Sequence, residues 1–273
     1  MNIDIMSNFN HVTILAAICN YILPIPILLY LMNKLDSEKL EKHSLNLKTL
    51  LKCVCIAFTL MLFGNIIGML ATNLLGLAIQ SEISNPVENL IDNSDILLNL
   101  ILISIIGPIF EEIFFRKLLI DRTIRYGAAV SIILSATIFG FVHGNLNQFF
   151  YAFFLGGFFA YVYIKTGKII YPIVLHISIN LLGSVASQFI VESANAIAQG
   201  SFTGIDISIM AAYMLFIIVA LFIGLYSMLM FKKEKKLSEI KKQIPFKTVF
   251  INHGIILFII FCIFEMIYQI MLT

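Results

Sequence analysis

Eight runs of roughly twenty apolar residues divide this 273-residue chain, each near the length a helix needs to cross a bilayer. They fall at 10–32, 53–79, 96–115, 128–146, 148–164, 169–190, 207–231 and 248–271. In lipid every backbone polar group must be paired, and runs this long and continuous satisfy that requirement as helices. The composition agrees: the chain is 60% hydrophobic and 12% charged, with a mean hydropathy of +0.96. A soluble domain could not bury that much apolar surface. The expected fold is all-α, a polytopic transmembrane bundle of about eight spans forming a single integral-membrane domain over 1–273. Its surroundings are the lipid bilayer, and no nucleic-acid partner is expected.

Loop charges orient the bundle. All 18 Lys and Arg fall in four regions, 34–52, 116–125, 165–168 and 232–247, whereas 80–95 and 191–206 carry acids and no basic residue. The positive-inside rule places the four basic regions in the cytoplasm and both termini outside. The densest basic run, 231–245, reads as a topology anchor rather than a lipid- or partner-binding patch. Cys19, Cys53, Cys55 and Cys262 have no metal or disulfide spacing and read as small packing residues. Gly156 and Ala160 have the small-xxx-small spacing of close helix contacts. Abundant Ile, Lys and Asn suggest a low-GC bacterium, and so a bacterial cell membrane.

Against this apolar background, residues 107–119 read GPIFEEIFFRKLL, with two carboxylates inside a span. Charge at that depth costs several kcal/mol on most estimates. Neighbours on a helix differ by about 100°, so Glu111 and Glu112 face different ways. Glu112 precedes Arg116 by four residues, the favourable order for an ion pair. Glu111 has no partner in its own helix, which leaves it available as a base. Polar groups in membrane bundles also act as interhelical glue, so Glu111 alone supports either reading.

Two of the five histidines, His143 and His176, lie in later apolar spans. His143 follows Phe139 by one helical turn in FGFVHGN, and His176 precedes Asn180 by one turn in HISIN. A stacked His and Asn can serve as an oxyanion clamp or as a polar seam between helices. His11, His43 and His253 read as incidental.

In order, EExxxR (Glu111, Glu112, Arg116), FxxxH (Phe139, His143) and HxxxN (His176, Asn180) resemble the motif set of the CPBP intramembrane endopeptidases, the Abi or CAAX-protease-like family. The resemblance covers about 96–190, which it marks as a catalytic core. It implies a glutamate-type intramembrane protease of a bacterial kind. Glu111 and His143 would activate water, His176 and Asn180 would hold the oxyanion, and Glu112 and Arg116 would organise the site. The family includes members linked to bacteriocin self-immunity and peptide processing, so the implied substrate is a membrane-associated peptide or protein. The resemblance favours no cofactor. The alternative is a zinc ion held by Glu111, His143 and His176 with a position left open for water, although no HExxH occurs.

Two non-hydrolytic functions compete. A non-catalytic membrane regulator or immunity protein would bind a membrane partner with the same bundle. A proton-coupled transporter would need a continuous polar path and repeated broken helices, whereas the polar groups here form one cluster. One geometric conflict remains within the hydrolase reading. Glu111 lies near the basic end of its span and His143 far along the next, an offset above about 10 Å at 1.5 Å per residue. The conflict resolves if the third helix continues past Arg116, or if the fourth begins nearer Ser131 and tilts.

Overall fold

The computed structural model describes residues 8–83, 85–231 and 246–271. Among them the ordered elements are helices: α1 (Phe9–Met32), α2 (Leu47–Ile79), α3 (Pro86–Asn93), α4 (Ile96–Tyr126), α5 (Ala128–Val142), α6 (Leu146–Thr166), α7 (Ile170–Ala198), α8 (Gly204–Met230), α9 (Phe246–Phe250) and α10 (His253–Met271). Seven described helices are long and apolar enough to cross a membrane, namely all except α3, α5 and α9. The protein is a polytopic helical membrane bundle.

Several boundaries differ from the hydropathy reading, each for a local reason. The expected span 128–146 is the 15-residue helix α5, about 22 Å long and short of the roughly 30 Å hydrocarbon core. Gly144 stops it in the left-handed region at φ 65°, and Asn145 starts the next helix by accepting from Gln148 N at 2.8 Å. The expected loop 191–206 is helical to Ala198, and 80–95 contains α3. The expected third span ran over 96–115, yet α4 continues to Tyr126. Its charged residues are paired locally: Lys117 donates to Asp121 at 2.6 Å, and Arg122 donates to Met32 O at 2.6 Å.

The extension of α4 removes the offset between Glu111 and His143. Glu111 lies fifteen residues before Tyr126, and His143 lies fifteen after Ala128, with Gly127 as the turn between. The two side chains are therefore level in adjacent antiparallel helices.

Three basic regions share one end of the bundle. Glu38 N donates to Asp121 O at 2.6 Å and His43 N to Thr166 O at 2.8 Å, while Lys168 reaches Ser44 at 2.6 Å. The fourth run, 231–245, lies outside the described residues apart from the backbone of Phe231. At the other end Asp95 N donates to Asn10 at 2.8 Å and Gln188 to Ile91 O at 2.8 Å. The acidic loops thus gather opposite the basic ones.

The core lies between α2, α6, α7 and α8, where Cys53, Phe58, Phe159, Leu175, Ile179 and Ala220 are buried together. In lipid this packing is held by shape complementarity rather than by exclusion of water. Gly64 and Gly68 set the distance between α2 and α6: a Cβ at Gly68 would come within 2.6 Å of Asn147 O, and one at Gly64 would overlap Tyr151. Gly156 lets α6 approach α5 in the same way, a Cβ there lying 3.0 Å from Phe139. The cysteines are free, with Cys53 and Cys262 buried as packing residues and Cys19 exposed.

Candidate active site

The site starts from an unusual stretch of α4. Pro108 has no N–H and its ring crowds the carbonyl four residues back, so the helix cannot pass it with regular bonding. The backbone widens to i→i+5 bonding over Asn99–Ile106, tightens over Gly107–Glu112, and widens again over Ile113–Leu118. Such wide turns recur at functional sites. Glu111 and Glu112 sit at the end of the tight segment and point to different neighbours.

Glu112 is fully buried and serves two partners. Its Oε2 is 2.8 Å from Arg116 Nε, the ion pair expected from the four-residue spacing. Its Oε1 is 2.9 Å from His176 Nδ1, on α7. Arg116 is also fully buried. Its guanidinium lies 4.7 Å from the centre of the Phe139 ring and 5.6 Å from that of Phe159. These faces offer a cation partial compensation for lost water. Ser135 accepts weakly from Arg116 at 3.4 Å and donates to Phe115 O at 3.1 Å.

His176 extends this chain to Glu111. A carboxylate can only accept, so Nδ1 carries the proton shared with Glu112, and Nε2 is the free nitrogen of the neutral ring. That Nε2 is 3.8 Å from Glu111 Oε2. Glu111 itself is about one-fifth exposed, unlike Glu112. The sequence reading found it no partner in its own helix. The structure supplies one from α1: Tyr21 donates to Glu111 Oε1 at 2.8 Å.

His143 caps α5 with its Nδ1 2.6 Å from Phe139 O. The carbonyl accepts, so here too Nε2 is left free. Phe139 is the shared wall of the two imidazoles, its ring centre 4.9 Å from His143 and 5.6 Å from His176. Glu111, His176 and Arg116 all lie within electrostatic reach of His143.

Asn180 differs from the free donor imagined from its spacing. Its Nδ2 donates to Ile103 O at 2.9 Å, within the widened part of α4. That bond uses one of the two amide hydrogens. All seven motif residues thus belong to one neighbourhood formed by α4, α5 and α7. Tyr21 is the participant that sequence reasoning missed; its one signal was a phenol, unusual in that apolar run, three residues before Pro24. Among the described residues, no three His, Cys, Asp or Glu side chains converge closely enough to hold a metal ion.

Fold and side-chain cluster together define a polytopic helical membrane protein with a buried Arg–Glu–His chain leading to a second carboxylate. Residues 93–182 match the family model of the Rce1-like type II CAAX prenyl endopeptidases. The matched segment is the one that carries the three motifs, so this similarity agrees with the motif resemblance. Over 180 residues the chain is 28% identical to YdiL of Bacillus subtilis (strain 168), described as "Putative membrane peptidase". That match spans 63% of this chain and 71% of the relative. No solved structure matches the chain.

Proposed function

We propose that this protein is an intramembrane endopeptidase of the glutamate type, cleaving a membrane-associated peptide or protein. The observation that carries the reading is the connected chain Arg116–Glu112–His176–Glu111, which orients an imidazole and a carboxylate toward one point. An imidazole fixed through Nδ1 by a carboxylate presents Nε2 in a defined direction, as general acid–base chemistry requires.

In this mechanism Glu111 removes a proton from water, and the oxygen attacks the scissile carbonyl carbon. The tetrahedral intermediate carries its negative charge on the former carbonyl oxygen. His176 takes up at Nε2 the proton that Glu111 has removed from the water, and the resulting positive charge faces Glu112 while its N–H turns to the oxyanion. The remaining amide hydrogen of Asn180 is the second donor. His143, with Nε2 free and Glu111 in reach, helps to hold the water, and the proton carried by His176 passes to the leaving amine as the C–N bond breaks. The products are one carboxylate and one amine, and no covalent enzyme intermediate forms.

For the substrate we propose a bacterial peptide precursor such as a leader-bearing propeptide or bacteriocin, with self-immunity as the cellular role. The relative's description supports membrane peptidase activity in general. Zinc is the alternative cofactor, with Glu111, His143 and His176 as ligands after rearrangement. A non-catalytic regulator is the second reading, and the closure of Asn180 onto Ile103 O favours it.

The test uses protein reconstituted in nanodiscs with a library of membrane-anchored peptides, read by mass spectrometry. Cleavage by wild type, its loss in Glu111→Gln, and its persistence in chelator support the glutamate reading. Loss in chelator with rescue by zinc overturns the metal-free mechanism. Equal cleavage by Glu111→Gln overturns the site.

A further inference from the structure

Tyr21 is the one residue outside the three motifs whose side chain hydrogen-bonds to Glu111 in the described structure. It comes from α1, a helix on the edge of the bundle. Only 6% of the apolar window of α1 is buried, and Thr13 is its one buried residue. A peripheral helix that sends a phenol inward to an intramembrane acid needs a reason.

Three features fix that phenol. Residues Ile18–Ile22 form a wide π turn immediately before Pro24, which rotates Tyr21 relative to a regular helix. The Tyr21 ring stacks on Phe110, with centroids 5.8 Å apart and planes inclined by 14°. Gly107 leaves room for the hydroxyl, since a Cβ there would lie 2.8 Å from Tyr21 Oη. Backbone, ring and cradle thus agree on one position for one oxygen.

Resting on the reading of Glu111 as the water-activating base, we propose that Tyr21 is a positioning residue that fixes the Glu111 carboxylate. The phenol donates to Oε1, and so Oε2 faces His176 Nε2. A glutamate has three rotatable side-chain bonds, and a base is effective only within hydrogen-bonding reach of the proton it removes. Tyr21 removes that freedom from one side, as Glu112 does for His176 from the other. The first span is then a working part of the site, although it lies outside the region that carries the motifs.

Tyr21→Phe keeps the ring stack and deletes the hydroxyl. A hydrogen bond to a charged group is worth enough that kcat falls about tenfold to a hundredfold, with KM unchanged within about twofold. Gly107→Ala displaces the hydroxyl, reproduces that loss and adds nothing to it in the double variant. A thermal-stability cycle reads the contact without activity: Tyr21→Phe lowers Tm in wild type and leaves it unchanged in Glu111→Ala. Full turnover in Tyr21→Phe, or equal Tm shifts in both backgrounds, overturns the role while leaving the peptidase reading intact. A wild type that cleaves no peptide removes the peptidase reading and this role with it, even where the cycle shows the coupling.

Discussion

Glu112 and His176, 64 residues apart in sequence, are joined by a 2.9 Å hydrogen bond, while the other oxygen of the same carboxylate faces Arg116 at 2.8 Å. One buried carboxylate therefore neutralises a cation and orients an imidazole. The two duties separate by mutation. Glu112→Ala leaves Arg116 as a buried, unpaired charge, which costs about 3–5 kcal/mol. The expected outcome is poor accumulation in the membrane and a much lower melting temperature. Adding Arg116→Met removes the stranded charge, so the double variant regains most of its stability without regaining peptide cleavage. Melting curves in detergent and the nanodisc assay read the two effects independently.

His143 stands at a helix end and is less buried than His176. Its bond to Phe139 O is local to α5, so truncation leaves no distant group unpaired. His143→Ala is expected to change stability by less than about 1 kcal/mol while reducing cleavage about a hundredfold or more. A large fall in melting temperature would instead assign His143 to the scaffold.

At Gly68 any side chain meets the backbone carbonyl of Asn147, and at Gly64 it meets the backbone of Tyr151. Backbone cannot swing aside, so α2 and α6 must separate. Gly68→Leu is expected to lower stability by about 1–3 kcal/mol, with the purified protein melting earlier and cleaving more slowly. Gly183 has open space around its Cα, so Gly183→Ala serves as the tolerant control in the same melting experiment.

The gathering of 34–46, 117–126 and 163–168 at one end gives the charge-based orientation a direct test. Single cysteines at His43 and at Asn93, in a background with the four native cysteines replaced, should react with an impermeant maleimide from opposite faces. Labelling of residue 43 only in inside-out vesicles, and of residue 93 only in intact cells, is the expected pattern. The reverse pattern would place the acidic loops in the cytoplasm.

Particular residues show what the sequence made legible. The Glu112–Arg116 ion pair could be read because four residues make one helical turn, and the spacing needs no knowledge of the fold. The grouping of His143 and His176 with the glutamates came from motif order, which composition alone could not supply. Tyr21 could not be read: it meets Glu111 across 90 residues, and its position depends on a π turn that hydropathy does not encode. The length of α4 is hidden from hydropathy because Arg116, Lys117, Asp121, Arg122 and Arg125 look like the end of a span. They continue the helix because Glu112, the ring faces and the Met32 carbonyl satisfy several of them internally. The Gly64–Gly68 contact has a four-residue, small-xxx-small spacing, which is legible in the sequence, although the helix it meets is not. Asn180 illustrates the opposite limit, since spacing placed it one turn from His176 but could not reveal that Ile103 O takes one of its hydrogens.

Water is the proposed nucleophile, and its oxygen can be followed. Peptide cleavage by the reconstituted protein in water enriched in oxygen-18 should place one heavy oxygen in the new C-terminal carboxylate, and Glu111→Gln should yield neither product nor label. Labelled product at the wild-type rate from Glu111→Gln would contradict the assignment of the base, and failure of the wild type to cleave any membrane-anchored peptide would contradict the account as a whole.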